Sequence, residues 1–257
     1  MCLIAFTIGQ NPRFPLVIAA NRDEFFRRPT AAMDWWQDPQ GHRVLAGRDL
    51  ESGGTWLAIA PDGAVAAVTN VREGSTEMGR QSRGELPLKA LALPRSQLQT
   101  DLNAEPGRYA GFNLVSLSGT GGWYYSNRDA HPGRQVFRGV YGLSNHLLQT
   151  PWPKLLRLRT AVGHCVERAG ADVDRLHQQL IPLLKDSNPA PDHELPDTGV
   201  GIDTERFLSS PFIHGEHYGT RATTVVTVSR DGEIRVTEQS WGPFSSPLEQ
   251  RQFSWQR

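Results

Sequence analysis

Met1-Cys2-Leu3-Ile4-Ala5-Phe6-Thr7-Ile8, followed by Gly9-Gln10-Asn11-Pro12 and then Phe14 to Ala20, is the stretch that decides the fold. Leu3 to Ile8 is a short apolar run of strand length, which reads as a buried strand. The Gly-Gln-Asn-Pro cluster is a turn, and Phe14 to Ala20 reads as the returning strand. If the two pair as a hairpin, residue numbers across the ladder sum to about 22 or 23. Cys2 then lies opposite Ala20 or Asn21, and Asn21-Arg22-Asp23-Glu24 leaves the strand beside the start of the chain.

That placement gives Cys2 a chemical reading. Removal of Met1 would put a thiol and a free α-amino group on one residue. The amine titrates near ~8 and a free thiol near ~8.5, so the pair holds both a nucleophile and its base. The alternative is that Cys2 is a small buried hydrophobe, as free cysteines often are. Likewise Asn21 to Glu24 could be a solvated turn with an Arg–carboxylate pair.

Bulk properties narrow the field. The chain has 257 residues, with 27 Lys plus Arg against 27 Asp plus Glu. Zero formal charge gives no basic footprint for nucleic acid or an anionic membrane. No apolar run reaches the ~18 residues of a membrane span, and no leader pattern precedes Cys2, so a cytoplasmic location is expected. Cys2 and Cys165 form neither a metal spacing nor a disulfide framework. We expect one domain over residues 1–257, with a mobile loop in the Pro-, Asp- and Gly-rich segment 186–201.

Further along, Thr55 to Ala60 and Ala64 to Asn70 flank the Pro61-Asp62-Gly63 turn. A ladder sum near 124 sets Asn70 opposite Gly53-Gly54, at an open sheet end. Helices are expected over Gly84–Leu93, Ser96–Asn103, Trp152–Ala169 and Asp172–Leu184, the last capped by Asp172. Strands are expected over Tyr109–Leu117, Gly122–Ser126, Val136–Arg138 and Val140–Ser144, and a last hairpin joins Thr223–Val228 to Glu233–Gln239. Strands, central helices and strands again indicate a layered α+β fold.

Several blocks together carry a resemblance. Met1-Cys2-Leu3-Ile4, Ala20-Asn21-Arg22-Asp23-Glu24-Phe25, Gly53-Gly54-Thr55-Trp56-Leu57, Ser82-Arg83-Gly84-Glu85-Leu86, Tyr141-Gly142-Leu143-Ser144-Asn145 and Tyr218-Gly219-Thr220-Arg221 resemble the NRDE family, also called the transport and Golgi organisation family. The blocks span residues 1 to about 240. That family in turn resembles N-terminal-nucleophile (Ntn) hydrolases of the choloylglycine hydrolase and penicillin V acylase type, which implies a four-layer αββα sandwich. The resemblance implies that Cys2 is the nucleophile, that Arg22 and Asp23 sit beside it, and that Asn70 and Asn145 hold an oxyanion. It also implies a later arginine, for which Arg221 and Arg206 are both candidates. Asn21, Gly54, Trp56 and His146 are the expected ligand-binding positions.

The roles have a physical basis. The thiol proton would pass to the amine. Asp23 would hold the resulting ammonium, Arg22 would favour thiolate, and each oxyanion donor is worth ~3 kcal/mol. An amide would give acid and amine, so the expected activity is hydrolysis of a linear carbon–nitrogen bond other than a peptide bond. Members of the family are also associated with Golgi organisation, with mitochondrial and lipid metabolism and with haem trafficking. The alternative is therefore a non-catalytic carrier of haem or an acyl lipid, with His146 as the first candidate axial ligand. No cofactor is required by the hydrolase reading, and no metal site is expected. His214-Gly215-Glu216-His217 lacks metalloprotease spacing, and the glycines of residues 41–54 carry no P-loop lysine.

Overall fold

A computed structural model of the chain describes residues 2–74, 79–119 and 121–257. Met1, whose removal the cysteine chemistry invokes, lies outside the described residues. Thirteen strands form two antiparallel sheets. The first runs in the order β10 (Gly139–Leu143), β1 (Cys2–Ile8), β2 (Leu16–Phe25), β11 (Tyr218–Val228), β12 (Glu233–Trp241), β13 (Pro247–Gln256). The second is a meander in chain order: β3 (Thr30–Gln37), β4 (Arg43–Asp49), β5 (Leu57–Ile59), β6 (Val65–Asn70), β7 (Phe112–Ser118), β8 (Gly121–Ser126), β9 (Arg134–Val136).

The period of two in β1 and β2 sorts their side chains into separate cores. Ile4, Phe6, Ile8, Leu16 and Ile18 point between the sheets and meet Leu45, Leu57, Ile59, Val115 and Tyr124 of the second sheet. Leu3, Ala5, Val17 and Ala19 point the other way, against Leu155, Leu158 and Val162 of α3 (Pro153–Glu167) and Leu176, Leu180 and Leu184 of α4 (Val173–Leu184). The outer face of the second sheet is covered in the same manner. Val68, Phe112, Leu114 and Trp123 meet Leu86 of α1 (Leu86–Ala92) and Leu98 and Leu102 of α2 (Arg95–Ala104). The result is the expected four-layer αββα sandwich. Each such Leu, Ile or Phe contributes roughly 1.5–3 kcal/mol by leaving water.

The first hairpin forms with a shifted register. Cys2 pairs with Arg22 and Ile4 with Ala20, so Cys2 faces neither Ala20 nor Asn21. Phe14 is not the first residue of the returning strand. The connection runs from Gly9 to Pro15, closed by Gly9 N–H donating to Pro15 O at 2.8 Å. Asn11 ties it down by donating to Val166 O at 2.9 Å and Ala169 O at 3.0 Å at the end of α3. The second hairpin keeps its register, with Leu57 against Ala67. Its ladder stops short of Gly54, however, and Asn70 pairs with Phe112 of β7. The Asp172 cap forms, accepting from Arg175 N–H at 2.9 Å. In the segment 186–201, Ala190 is buried and its N–H donates to Ser209 Oγ at 2.9 Å.

Candidate active site

The two sheets part at the end where β1 begins, β2 ends and β6 ends. A cleft of about 630 Å³ opens there, lined by Cys2, Arg22, Asp23 and Asn70 together with Trp56, Arg72 and Arg83. Four of the residues singled out in sequence as catalytic therefore share one wall system.

Cys2 is 8% exposed. Burial pushes its thiol up, Asp23 and Glu24 push the same way, and Arg22 opposes them. Arg22, on the neighbouring rung, is buried with its guanidinium 4.2 Å from the Trp56 ring centroid. Its Nη1 donates to Thr30 Oγ1 at 3.3 Å and its Nη2 lies 3.6 Å from Asp49 Oδ2. Burial raises the Asp49 carboxyl, but a 2.6 Å bond from Arg28 Nε and the Ser52 N–H hold it below the usual range.

Asp23 points to the other face of β2. Its Oδ1 accepts from Thr220 Oγ1 at 2.7 Å, and burial raises its carboxyl against the opposing field of Lys154. Lys154 sits in the first turn of α3, fully buried, donating Nζ to Leu208 O at 2.8 Å. Burial first, then the charge of Arg72, lower its amine to about 8. Arg72 is 6% exposed, stacks 4.8 Å from the Trp152 ring centroid and gives Nη1 to Glu205. Its Nε and Nη2 have no hydrogen-bond partner among the described residues.

Asn145 is fully buried at the end of β10 and is not part of the cleft wall. Its Nδ2 donates to Asn70 Oδ1 at 3.0 Å and to Asn70 O at 3.1 Å. That bond engages the oxygen of Asn70 and leaves its amide N–H groups as the end available to the cleft. A buried chain fixes the arrangement across the two sheets. Thr69 Oγ1 donates to Ser144 O at 2.7 Å, Asn113 Nδ2 to Thr69 Oγ1 at 3.0 Å, and Tyr124 O–H to Asn113 Oδ1 at 2.8 Å.

Other expected site residues lie elsewhere. Asn21 spends its amide on Leu184 O at 2.8 Å and Pro211 O at 2.9 Å, so it holds the fold on the helix side of β2. Gly54 is packed against the backbone of Gly84. His146 is exposed, bonded through Nδ1 to Thr150 Oγ1 at 2.9 Å, and does not line the cleft. Arg221 donates to Phe25 O and Arg28 O and lines a separate cavity of about 300 Å³ behind Arg22. Arg206 is exposed and paired with Asp192 and Asp203. The arginine that does reach the cleft beside Asn70 is Arg72. The sequence signal for it is position alone: it follows Asn70 by two residues at a strand end. For Lys154, the signal is a lysine among apolar residues in a helix's first turn, where a cation is disfavoured.

One side of the cleft is apolar. Phe25 and Tyr218 meet edge-on with centroids 5.0 Å apart, Phe207 lies 6.2 Å from Tyr218, and Val200 and Leu208 adjoin them. Phe207 belongs to α5 (Ile202–Phe207). Among the described residues no group of three His, Cys, Asp or Glu is placed to hold a metal ion, and no helix is long and apolar enough to cross a membrane.

Fold and site together define an αββα sandwich with a first-strand cysteine at the bottom of an open, partly apolar cleft. The chain belongs to the Transport and Golgi organisation 2 family, whose model matches residues 1–243. It is 36% identical over 263 residues to the Transport and Golgi organization protein 2 homolog of Bos taurus, covering 93% of each chain. It is 35% identical to the Homo sapiens homolog and 29% to the Drosophila melanogaster protein, in each case over 93% of this chain. The matches cover 93% and 92% of those two relatives. Among solved structures it is similar to a mutant of the conjugated bile acid hydrolase of Clostridium perfringens, with TM-score 0.47, 7% identity and coverage of 99% and 97% of the two chains. It is also similar to a Caenorhabditis elegans ortholog of N-acylethanolamine-hydrolyzing acid amidase, with TM-score 0.43, 10% identity and coverage of 88% and 92%.

Proposed function

We propose that the chain is an N-terminal-cysteine amidohydrolase acting on a linear amide or related acyl compound. The observation that carries the reading is the convergence of Cys2, Arg22, Asp23 and Asn70 on one cleft. Removal of Met1 frees the α-amine of Cys2. The sulfur attacks the substrate carbonyl carbon while its proton passes to that amine. Asn70, oriented by Asn145, donates to the oxyanion. The carbon–nitrogen bond breaks, the leaving nitrogen takes the proton, and a thioester remains on Cys2. Water then cleaves the thioester, releasing a carboxylic acid. Arg22 favours the thiolate, and Asp23 faces the ammonium form of the amine. We place the reaction in the cytoplasm, where Cys2 stays reduced.

The test is intact mass and thiol labelling of the purified protein, followed by an amide panel. Loss of Met1, single fast labelling and turnover that falls at least ~10³-fold in Cys2→Ala are the expected results. Equal turnover in Cys2→Ala overturns the reading.

A carrier of an acyl lipid or haem is the second reading, favoured by the burial that raises the Cys2 thiol and by the apolar wall of Phe25, Phe207 and Tyr218. Saturable ligand binding by protein that retains Met1 and turns nothing over would select it.

A further inference from the structure

Arg28, Arg72 and Arg83 line the cleft without a part in the reaction above, and Arg83 stands apart from the other two. Arg83 lies in the Ser82–Leu86 block, just before α1, on the wall formed by the second sheet. Its Nη1 donates to Gly111 O at 2.9 Å, and among the described residues it forms no ion pair. The other cleft arginines are occupied. Arg22 and Arg28 share Asp49, Arg28 also pairs with Glu51 at 3.0 Å, and Arg72 holds Glu205. Glu73, the acid on the same side as Arg83, is taken by Arg128 through bonds of 2.9 and 2.8 Å. Glu24 is on the opposite wall, with Oε1 accepting from the Phe25 N–H at 2.8 Å.

A guanidinium held by one nitrogen keeps donors for a second acceptor, and two parallel N–H groups match a carboxylate in a bidentate pair. Because the neighbouring arginines are already paired with acids, Arg83 is the one cleft arginine without an acid partner among the described residues. It suits a single carboxylate and not a polyphosphate. Arg83 and Cys2 line the same cleft. An anion bound there would therefore lie close to the reacting carbonyl, as the α-carboxylate of an amide's amine half does. The opposite wall of Phe25, Phe207 and Tyr218 offers the acyl half an apolar seat.

We infer that Arg83 anchors the carboxylate of the substrate's amine half, so that the cleft selects N-acyl amino acids over neutral N-acyl amides. The inference rests on the amidohydrolase reading for the position of the scissile bond, but selectivity is measurable without turnover. Isothermal titration of full-length Cys2→Ala with N-dodecanoylglycine and with N-dodecanoylethanolamine compares ligands that share one acyl chain. The glycine conjugate binds at least about tenfold tighter. Arg83→Gln removes that preference by weakening the glycine conjugate about tenfold, while the ethanolamide, which reports an intact cleft, stays within about twofold. Arg83→Lys restores part of the loss as a point charge without the fork. Equal affinities in Cys2→Ala, binding of neither ligand, or an Arg83→Gln that weakens both alike overturns the inference. Turnover by the unsubstituted protein separates the two claims. Selectivity without turnover removes the hydrolase alone, and turnover without selectivity removes the anchor alone.

Discussion

Two buried polar groups under the same helical layer are built on opposite principles. His177 of α4, 3% exposed, sits between Thr237 Oγ1 at 2.9 Å and Thr227 Oγ1 at 2.8 Å, so both ring nitrogens are bonded. Burial lowers its pKa to about 4, with Arg235 adding and Asp174 opposing, and the ring is neutral. Where α3 begins, beside the cleft, Asp23, Lys154, Arg72 and Glu205 place charged groups at similar depth, and among the described residues two nitrogens of Arg72 have no hydrogen-bond partner. At His177, inside the sandwich, polarity is neutral and satisfied. At its open end, charge is retained despite a desolvation cost that the pairing only partly offsets. The difference separates a structural polar group from one kept for chemistry.

The largest expected effect breaks the charged cluster. Glu205 gives one oxygen to Arg72 and the other to the N–H of Thr198 at 3.1 Å. Glu205→Ala leaves a buried guanidinium with no counter-charge, and urea denaturation should show a loss of about 3–5 kcal/mol. Arg72→Met combined with Glu205→Leu should recover most of it, because both charges leave together. A loss below about 1 kcal/mol in Glu205→Ala would mean that the cluster is hydrated like a surface pair, and the contrast with His177 would fail.

The His177 site is probed next, by pH. A histidine whose pKa is lowered on folding binds fewer protons in the native than in the unfolded state. Its stabilising contribution is complete above about 6.5 and is lost as pH falls toward about 4. That interval is worth about 3 kcal/mol. His177→Leu should flatten the pH dependence of stability in this window. An unchanged slope would show that folding does not lower the pKa of the ring.

The difference between the two regions also explains what could be read from sequence. A layered α+β fold was legible in the order of strands and helices, with long apolar stripes on α3 and α4, whereas the αββα arrangement came from the resemblance, since β1 and β2 are buried on both faces and read only as continuous apolar runs. The strand β3 was not legible, since a bulge between Ala31 and Asp34 interrupts its alternation. Nor was β13, an edge strand whose outward positions include Gln250, Gln252, Ser254 and Gln256. Helix α5 is six residues long, too short to show a period. In the site, hairpin arithmetic set Arg22 and Asp23 beside Cys2 even with the first register off, while Asn70, on the other sheet, was joined to them only by the resemblance. Arg72, Lys154 and Glu205 could not be placed. They meet only when β6, α3 and α5 pack, and no spacing in the chain encodes that meeting. The same limit misplaced Arg221, which lies on β11 but turns its guanidinium to the carbonyls of Phe25 and Arg28.

The smallest effect is the sharpest test of the neutral half of the comparison. Thr237→Val keeps volume and removes one hydroxyl, so one nitrogen of His177 loses its partner in a dry site. The expected cost is about 1–2 kcal/mol by urea denaturation at pH 7, where the ring is neutral in both states. Adding His177→Leu to Thr237→Val removes the orphaned nitrogen, and the double variant should lie closer to the parent than the sum of the single losses. Thr227 then keeps its own hydroxyl without a ring to bond, so recovery is incomplete by roughly 1 kcal/mol. Strict additivity would mean that the Thr237–His177 bond contributes nothing beyond packing. The interior would then owe its stability at that point to apolar contact alone.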